Sequence, residues 1–545
     1  MKQLSGLDAN FLYMETPSVL GHVSSLSVYE ALPATSGHQP FDAWRRQLAG
    51  RVHRLEPLTR KLRNVPLNLD HPYWVQDLEF DLDFHVRHTA VPPPGTDEQL
   101  ADLVARIIGR PLDRRRPLWE SYVIEGLPDG RFAIFTKVHH AAVDGASGAE
   151  LLTLMLDSSP DGAEAPVEVL ADHSERSASD AEMLAIVGAN LARKPGRLLV
   201  LTARTMREVG RATRNPVLVA AGNQLRDQLR GPLGTVLNVG RRRPEERDEL
   251  PAGGPLPQNA PHTPFNQSIT PHRVFAFRSA SLDVVKATKT ALGATVNDVV
   301  MAVCAGGLRR YLERRGALPE EALVAMVPVS IRTGNEDDKW TNRVSGLIAS
   351  IPTNEADPLE RVRKVHEAMV MAKGLHDAIP ADMLTQFAQF PPPAVFARAS
   401  RMATRFQLGS RFQMPVNLVI SNVPGPREPL YTAGAKLAHY YPVSTIAEGQ
   451  GLNITVQSYL DTLDFGLVGC RELVPDIWDL CNDIIDALEE LAGLAGVPDR
   501  SASSSRAAPR KATAKGVKVA ARRKATAKVA APRKAKAKGV KRSAS

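Results

Sequence analysis

Residues 131–156 read RFAIFTKVHHAAVDGASGAELLTLML, and the reading of this stretch decides the fold. Its first ten residues are β-rich and lie between Gly130 and Gly145, the pattern of a short buried strand. Residues 147–156, SGAELLTLML, read as a helix with Ser147 as its N-cap. A strand that turns directly into a helix is the repeating unit of a layered α/β domain. Two histidines, His139 and His140, stand side by side at the strand's end. Neighbouring strand side chains point to opposite faces, so the pair cannot share one role. One must face the local core and the other the far side. Asp144 follows four residues after His140, and Gly145 permits a tight turn that folds Asp144 back toward the strand end.

Three chemistries suit such a pair. A metal site needs three ligands or more; the other histidines are scattered and Cys304 is isolated, so no metal is expected. Two hydrogen-bonded structural histidines are a second reading. The third is catalysis, because a neutral imidazole with a reference pKa near 6.5 serves as a general base at physiological pH. The residues of this segment leave the last two readings open.

Outward from this stretch, the body of the chain divides in two. Residues 41–55 and 97–112 have helical spacing. After two Pro-, Ser- and charge-rich loops, 156–180 and 240–267, the strand-and-helix pattern returns. The segments HRVFAFRSA, ALVAMVPVSI, SGLIASIPT, VNLVISNVPG, LNITVQSYL and LDFGLVGC read as strands. Helices are expected over 281–292 and 296–314, and Thr295 with Asp298 fits a capping box. In the last helix, Ile477, Trp478, Cys481, Ile484, Ile485 and Leu488 fall on one face. Residues of about 181–235 read as a basic helical bridge interrupted at Lys194-Pro195-Gly196.

The net charge of +9 belongs to the end of the chain. Residues 501–545 hold 15 Lys or Arg and no acid, leaving 53 basic against 59 acidic residues in the body. The repeats AAPRK, KATAK and KGVK bring almost no large apolar side chains, so this tail is expected to be disordered. Its cations would attract anionic lipid or nucleic acid without base-specific reading, since it has no aromatic residue to stack. The three cysteines form no metal spacing, the N-terminus lacks an apolar signal core, and no run of about 18 apolar residues occurs; a cytoplasmic setting is expected.

HHAAVDG (139–145) matches the HHxxxDG motif of the acyl-CoA-dependent acyltransferase superfamily, which includes chloramphenicol acetyltransferase, carnitine acyltransferases and peptide-synthetase condensation domains. More narrowly, the chain resembles the bacterial wax ester synthase/acyl-CoA:diacylglycerol acyltransferase family. The carrying blocks are LSGLDANFLYMETP (4–17), RPLDRRRPLWESYVIEGL (110–127), GATVNDVVMAVCAGGLRRYL (293–312), MVPVSIR (326–332), NRVSG (342–346) and SNVPGP (421–426). They occur in the family's order and cover about 1–495.

The resemblance implies an α/β fold of two chloramphenicol-acetyltransferase-like sandwich halves, 1–160 and 268–497. A partly helical crossover, 161–267, joins them, and the tail, 498–545, lies outside. It implies that His140 is the proton acceptor in a tunnel between the halves and that His139 supports the strand. Asp144 would hold the loop, through an arginine for which Arg332 is the candidate; Gly145 would serve the backbone turn. Asn297 is read either as part of a helix start or as an amide that steadies an oxyanion. Pro117-Leu118-Trp119 reads as packing, and Ser421, Asn422 and Gly425 would line the acyl channel. No metal or cofactor is implied, because acyl-CoA is a substrate. The acceptor would be diacylglycerol or a fatty alcohol, met at a membrane or lipid-droplet surface by a peripherally bound protein.

Overall fold

The computed structural model of the chain describes residues 1–33, 37, 39–143, 145–162, 179–189, 260–330, 344–377 and 415–497. Fifteen strands occur among them: β1 (Lys2–Gln3), β2 (His22–Tyr29), β3 (Arg60–Arg63), β4 (Tyr73–Gln76), β5 (Val86–Ala90), β6 (Trp119–Glu125), β7 (Phe132–His139), β8 (Arg273–Ser281), β9 (Leu323–Ser330), β10 (Val344–Ile351), β11 (Leu418–Val423), β12 (Tyr431–Thr432), β13 (Ala435–Val443), β14 (Leu452–Tyr459) and β15 (Thr462–Cys470). The principal helices are α1 (Gly6–Tyr13), α2 (Pro40–Ala49), α3 (Asp97–Ile108), α4 (Gly145–Met155), α5 (180–189), α6 (Leu282–Ala291), α7 (Val296–Arg314), α8 (Pro358–Asp377) and α9 (Ile477–Leu494).

Two six-stranded mixed sheets result, ordered β12-β13-β2-β7-β6-β5 and β10-β9-β11-β14-β15-β8, beside a small sheet β1-β4-β3. The expected strands and most expected helices form. The helix expected over 41–55 ends at Ala49, where Gly50 and a 3-10 turn at Val52–Arg54 follow. The one expected over 97–112 ends at Ile108, before Gly109 and Pro111. Helix α4 starts at Gly145, so Ser147 is its third residue and not its N-cap. The Thr295–Asp298 capping box is present, with Asp298 N–H donating to Thr295 at 3.1 Å and Thr295 N–H to Asp298 at 2.9 Å. Asp144, Arg332, the bridge beyond residue 189 and the tail lie outside the described residues.

Strand β13 comes late in the chain yet completes the first sheet. It pairs antiparallel with β2 from Val443↔Ser24 to Leu437↔Tyr29, with a register shift between Leu437 and His439. Fully buried Asp464 on β15 accepts the Ser279 hydroxyl of β8 at 2.6 Å and the Tyr440 N–H of β13 at 2.7 Å. One carboxylate therefore ties both sheets at the seam. Helix α3 adds an apolar bond there. Leu100, Val104, Ile107 and Ile108 share a core with Phe275 and Phe277 of β8. Each such side chain, fully buried, is worth roughly 1.5–3 kcal/mol relative to solvent. Residues 1–501 form a single compact unit accordingly.

The second sheet is covered by α7 and α9, which approach closely because α7 carries Gly306 and Gly307. A Cβ on Gly307 would fall 2.9 Å from the backbone of Ile484 on α9. Gly307→Val should therefore lower the unfolding free energy by about 1–3 kcal/mol, read as a lower denaturant midpoint at an unchanged slope.

Candidate active site

Strand β7 leaves its sheet at the histidine pair. His139 is the last strand residue, opposite His22 of β2, and His140 opens the turn that leads to α4. Alternation then separates the two rings as strand geometry requires. His139 is 1% exposed and His140 is half-buried.

The His139 ring is held through Nδ1, while Nε2 faces a carboxylate. Its Nδ1 lies 3.0 Å from the Ala141 N–H, and a backbone amide can only donate. Nδ1 therefore carries a lone pair, and Nε2 lies buried 3.3 Å from the Glu15 carboxylate without hydrogen-bond geometry to it. Burial pushes the Glu15 carboxyl up. His139, Arg114 at 2.5 Å and the Gly21 N–H at 2.8 Å outweigh it and hold the group at about 2. Glu15 is thus a half-buried, ionised carboxylate that faces the ring. Gly21 is required by the close approach: a Cβ there would sit 3.0 Å from His139 Nε2 and 2.9 Å from the Phe11 carbonyl. The His139 backbone N–H donates to Leu118 O at 2.9 Å. The Pro117-Leu118-Trp119 block packs as expected. Trp119 is fully buried, donates to Leu58 O at 2.8 Å and stacks on His85.

His140 is placed differently. Its N–H donates to Gly21 O at 2.8 Å, and its ring stacks on Phe11 of α1 at 4.1 Å with the planes 2° apart. The segment under both histidines, residues 15–21, is in turn gripped by the second half of the chain. Thr445 donates to Leu20 O at 2.6 Å, and the Arg273 guanidinium donates to Ser18 O. The pair therefore stands where the two halves of the sequence meet.

The other expected residues are more distant from the ring by their contacts. Gly145 opens α4. Asn297 is the second residue of α7, half-buried, and among the described residues no hydrogen bond joins it to either histidine. Its neighbour Asp298 also lies 2.8 Å from His366 Nδ1 on α8. Ser421 and Asn422 pair in β11 with Thr455 and Val456 of β14. Gly425 is fixed by packing: its N–H donates to Ser458 Oγ at 3.1 Å, and a Cβ would fall 2.0 Å from Ser458 O. Among the described residues no group of three His, Cys, Asp or Glu could hold a metal ion. Sequence reasoning missed Glu15, Phe11, Gly21 and Thr445. Glu15 and Phe11 stand in the quoted block 4–17, but nothing local marks a contact across more than a hundred residues.

His22, directly opposite His139, extends the polar row. Its Nε2–H donates to Ile108 O at 2.9 Å, and burial, with Lys137 and His139 nearby, drives the imidazole down to about 3. The ring stays neutral in the fold while the unfolded chain binds a proton below the ordinary value near 6.5. Its contribution is complete above about pH 6.5 and is withdrawn as pH falls toward 3. Unfolding free energy measured from pH 7 to pH 4 should fall more shallowly in His22→Gln than in the parent, by up to about 1.4 kcal/mol per pH unit.

Comparison with known proteins matches this architecture. Residues 4–300 fit the wax ester synthase/diacylglycerol acyltransferase catalytic domain, and residues 340–492 fit the C-terminal domain named for the same pair of activities. A putative diacylglycerol O-acyltransferase of Mycobacterium tuberculosis strain CDC 1551 is 36% identical over 499 residues, covering 91% of this chain and 100% of the relative. A second from the same strain is 35% identical over 495 residues, 90% of each chain. Among solved structures, the wax ester synthase/diacylglycerol acyltransferase of Marinobacter aquaeolei VT8 superposes with a TM-score of 0.60 at 30% identity, covering 91% of this chain and 100% of that one. With two ordered domain matches, full-length relatives and a shared fold, the chain belongs to the wax ester synthase/diacylglycerol acyltransferase family.

Proposed function

We propose that this O-acyltransferase moves a long acyl chain from CoA to the hydroxyl of diacylglycerol, forming triacylglycerol, with His140 as the base. The observation that carries the assignment is the division of labour in the pair. His139 is buried, with Nδ1 taken by the Ala141 amide and Nε2 shut in against Glu15, whereas His140 is half-buried and presents its ring on a Phe11 face at the junction of the halves. The diacylglycerol reading is supported by the names of the mycobacterial relatives. The Marinobacter relative, named for both activities, favours a second reading in which a long-chain alcohol is the acceptor and a wax ester the product.

The chemistry balances on one proton. As the acceptor oxygen attacks the thioester carbonyl carbon, the His140 imidazole takes the hydroxyl proton and a C–O bond forms. Collapse of the tetrahedral adduct breaks the C–S bond, and the imidazolium returns its proton to the departing thiolate. No covalent acyl-enzyme is needed. His139, clamped by Glu15 and Ala141, holds the strand end and the turn in register, and Gly21 joins its support to the His140 backbone. Asp144 is assigned the loop, Gly145 the turn, Asn297 the helix start or the oxyanion, and Ser421, Asn422 and Gly425 the acyl channel. Acceptors of this kind are dissolved in lipid, and no single helix among the described residues is long and apolar enough to cross a membrane. We therefore assign the protein a peripheral place at a membrane or lipid-droplet surface on the cytoplasmic side. The 15-cation tail adds attraction to anionic lipid or nucleic acid.

Thiol release from a long-chain acyl-CoA, measured with diacylglycerol and with hexadecanol, tests the reading. His140→Ala should lose about 10²–10⁴-fold in kcat, the range for a general base, while truncation after residue 500 leaves kcat intact. Turnover with diacylglycerol exceeding that with hexadecanol supports the first reading, and the reverse order supports the second. Unchanged turnover in His140→Ala would contradict both.

A further inference from the structure

Helix α1 ends against the histidine pair, and its last turn lays an aromatic face on one of the two rings. The Phe11 and His140 rings are parallel, with 4.1 Å between centroids and 2° between planes. The phenyl ring is itself firmly seated. Ala9 and Leu12 of α1 are buried in one apolar cluster with Leu112, Leu118 and Ala141, and half-buried Phe11 packs against that cluster. Ala141 directly follows His140, so the helix that carries the phenyl ring is anchored one residue from the imidazole. Arg114 donates to Leu12 O at 2.7 Å and fixes the end of the helix. The His140 N–H donates to Gly21 O, and a Cβ on Gly21 would fall 2.9 Å from Phe11 O. The His140 backbone and ring are therefore located by the same two segments.

The two histidines are gripped in different ways. His139 is held through a ring nitrogen, Nδ1. His140 is held on the face of its ring, and a face contact uses neither a lone pair nor an N–H, which lie in the ring plane. Orientation without engaging a nitrogen suits a group that carries a proton. The contact also has a sign. A phenyl ring is negative on its face and attracts a cation within about 6 Å of its centroid. The imidazolium formed when His140 takes a proton therefore gains more from Phe11 than the neutral ring does. The titratable groups on the elements around the ring are Asp8 and Tyr13 on α1, Glu15 with its partner Arg114, His22 on β2, and His139. An exchange at position 11 leaves all of them in place.

We propose that Phe11 is a positioning residue for His140: its ring fixes the plane of the imidazole and stabilises the protonated form. The use of that stabilisation in acyl transfer rests on the acyltransferase reading, whereas the contact itself is measured without turnover.

Pentafluorophenylalanine at position 11 of the full-length protein keeps the outline of the ring and reverses the charge of its face, while Phe11→Leu removes the ring. In protein made with carbon-13-labelled histidine, the His140 resonance is the one of 14 that is lost in His140→Gln. Its titration midpoint should fall by about half a pH unit or more in both variants, and Phe11→Tyr should hold the parental value. In thiol release from a long-chain acyl-CoA, kcat should fall about threefold or more in both variants at unchanged KM. A midpoint unmoved by fluorination, or parental kcat in the fluorinated protein, overturns the proposal, and the fluorinated ring decides even where Phe11→Leu fails to fold. A parent that turns over no acceptor defeats the acyltransferase reading. In that protein a midpoint lowered by fluorination still upholds the proposal, and an unmoved one overturns it as well.

Discussion

The contact between the Glu15 carboxylate and the His139 ring is the constraint on which the site depends. Glu15 is ionised because His139, Arg114 and the Gly21 amide together outweigh the cost of its burial. With Nδ1 taken by the Ala141 amide and Nε2 buried against Glu15, His139 presents no solvent-facing nitrogen. The same carboxylate positions Gly21, whose carbonyl receives the His140 amide. One half-buried charge thus flanks the first histidine and, through Gly21, places the second.

This small network is also where the halves of the chain are joined. Arg273 and Thr445, from beyond residue 260, hold the backbone carbonyls of Ser18 and Leu20, immediately before Gly21. Strand β13 completes the first sheet alongside β2, the strand that starts one residue after Gly21. The histidines are therefore positioned by both halves, although both rings come from the first. That geometry fits a reaction between two substrates better than it fits a purely structural histidine pair inside one domain.

Much of the fold was legible because its signals are local. The β-rich run RFAIFTKVHH showed a buried strand, and strand geometry placed its two histidines on opposite faces. Thr295 and Asp298 are three residues apart and announce a helix start. The apolar stripe Ile477, Cys481, Ile484 and Leu488 announces a buried helix, and all four are buried. What escaped was non-local. Residues 435–443 carry nothing that says they pair with 24–29 across four hundred residues. Glu15 reads as an ordinary polar residue before a Thr-Pro turn until the fold sets it against His139. Ser147 looked like an N-cap because its type suits one, but the helix begins two residues earlier, at Gly145. Gly425 was expected at a channel wall, and its close contact with the Ser458 carbonyl is a packing requirement that the sequence does not show.

The central claim is that the two histidines differ in kind, one holding structure and one moving a proton. Chemical rescue separates them in a single measurement: thiol release by His140→Gly and by His139→Gly, each titrated with free imidazole. The account predicts that imidazole, seated on the vacated Phe11 face, restores turnover to His140→Gly and none to His139→Gly. Rescue of His139→Gly, or parental activity in His140→Gly without imidazole, would contradict it.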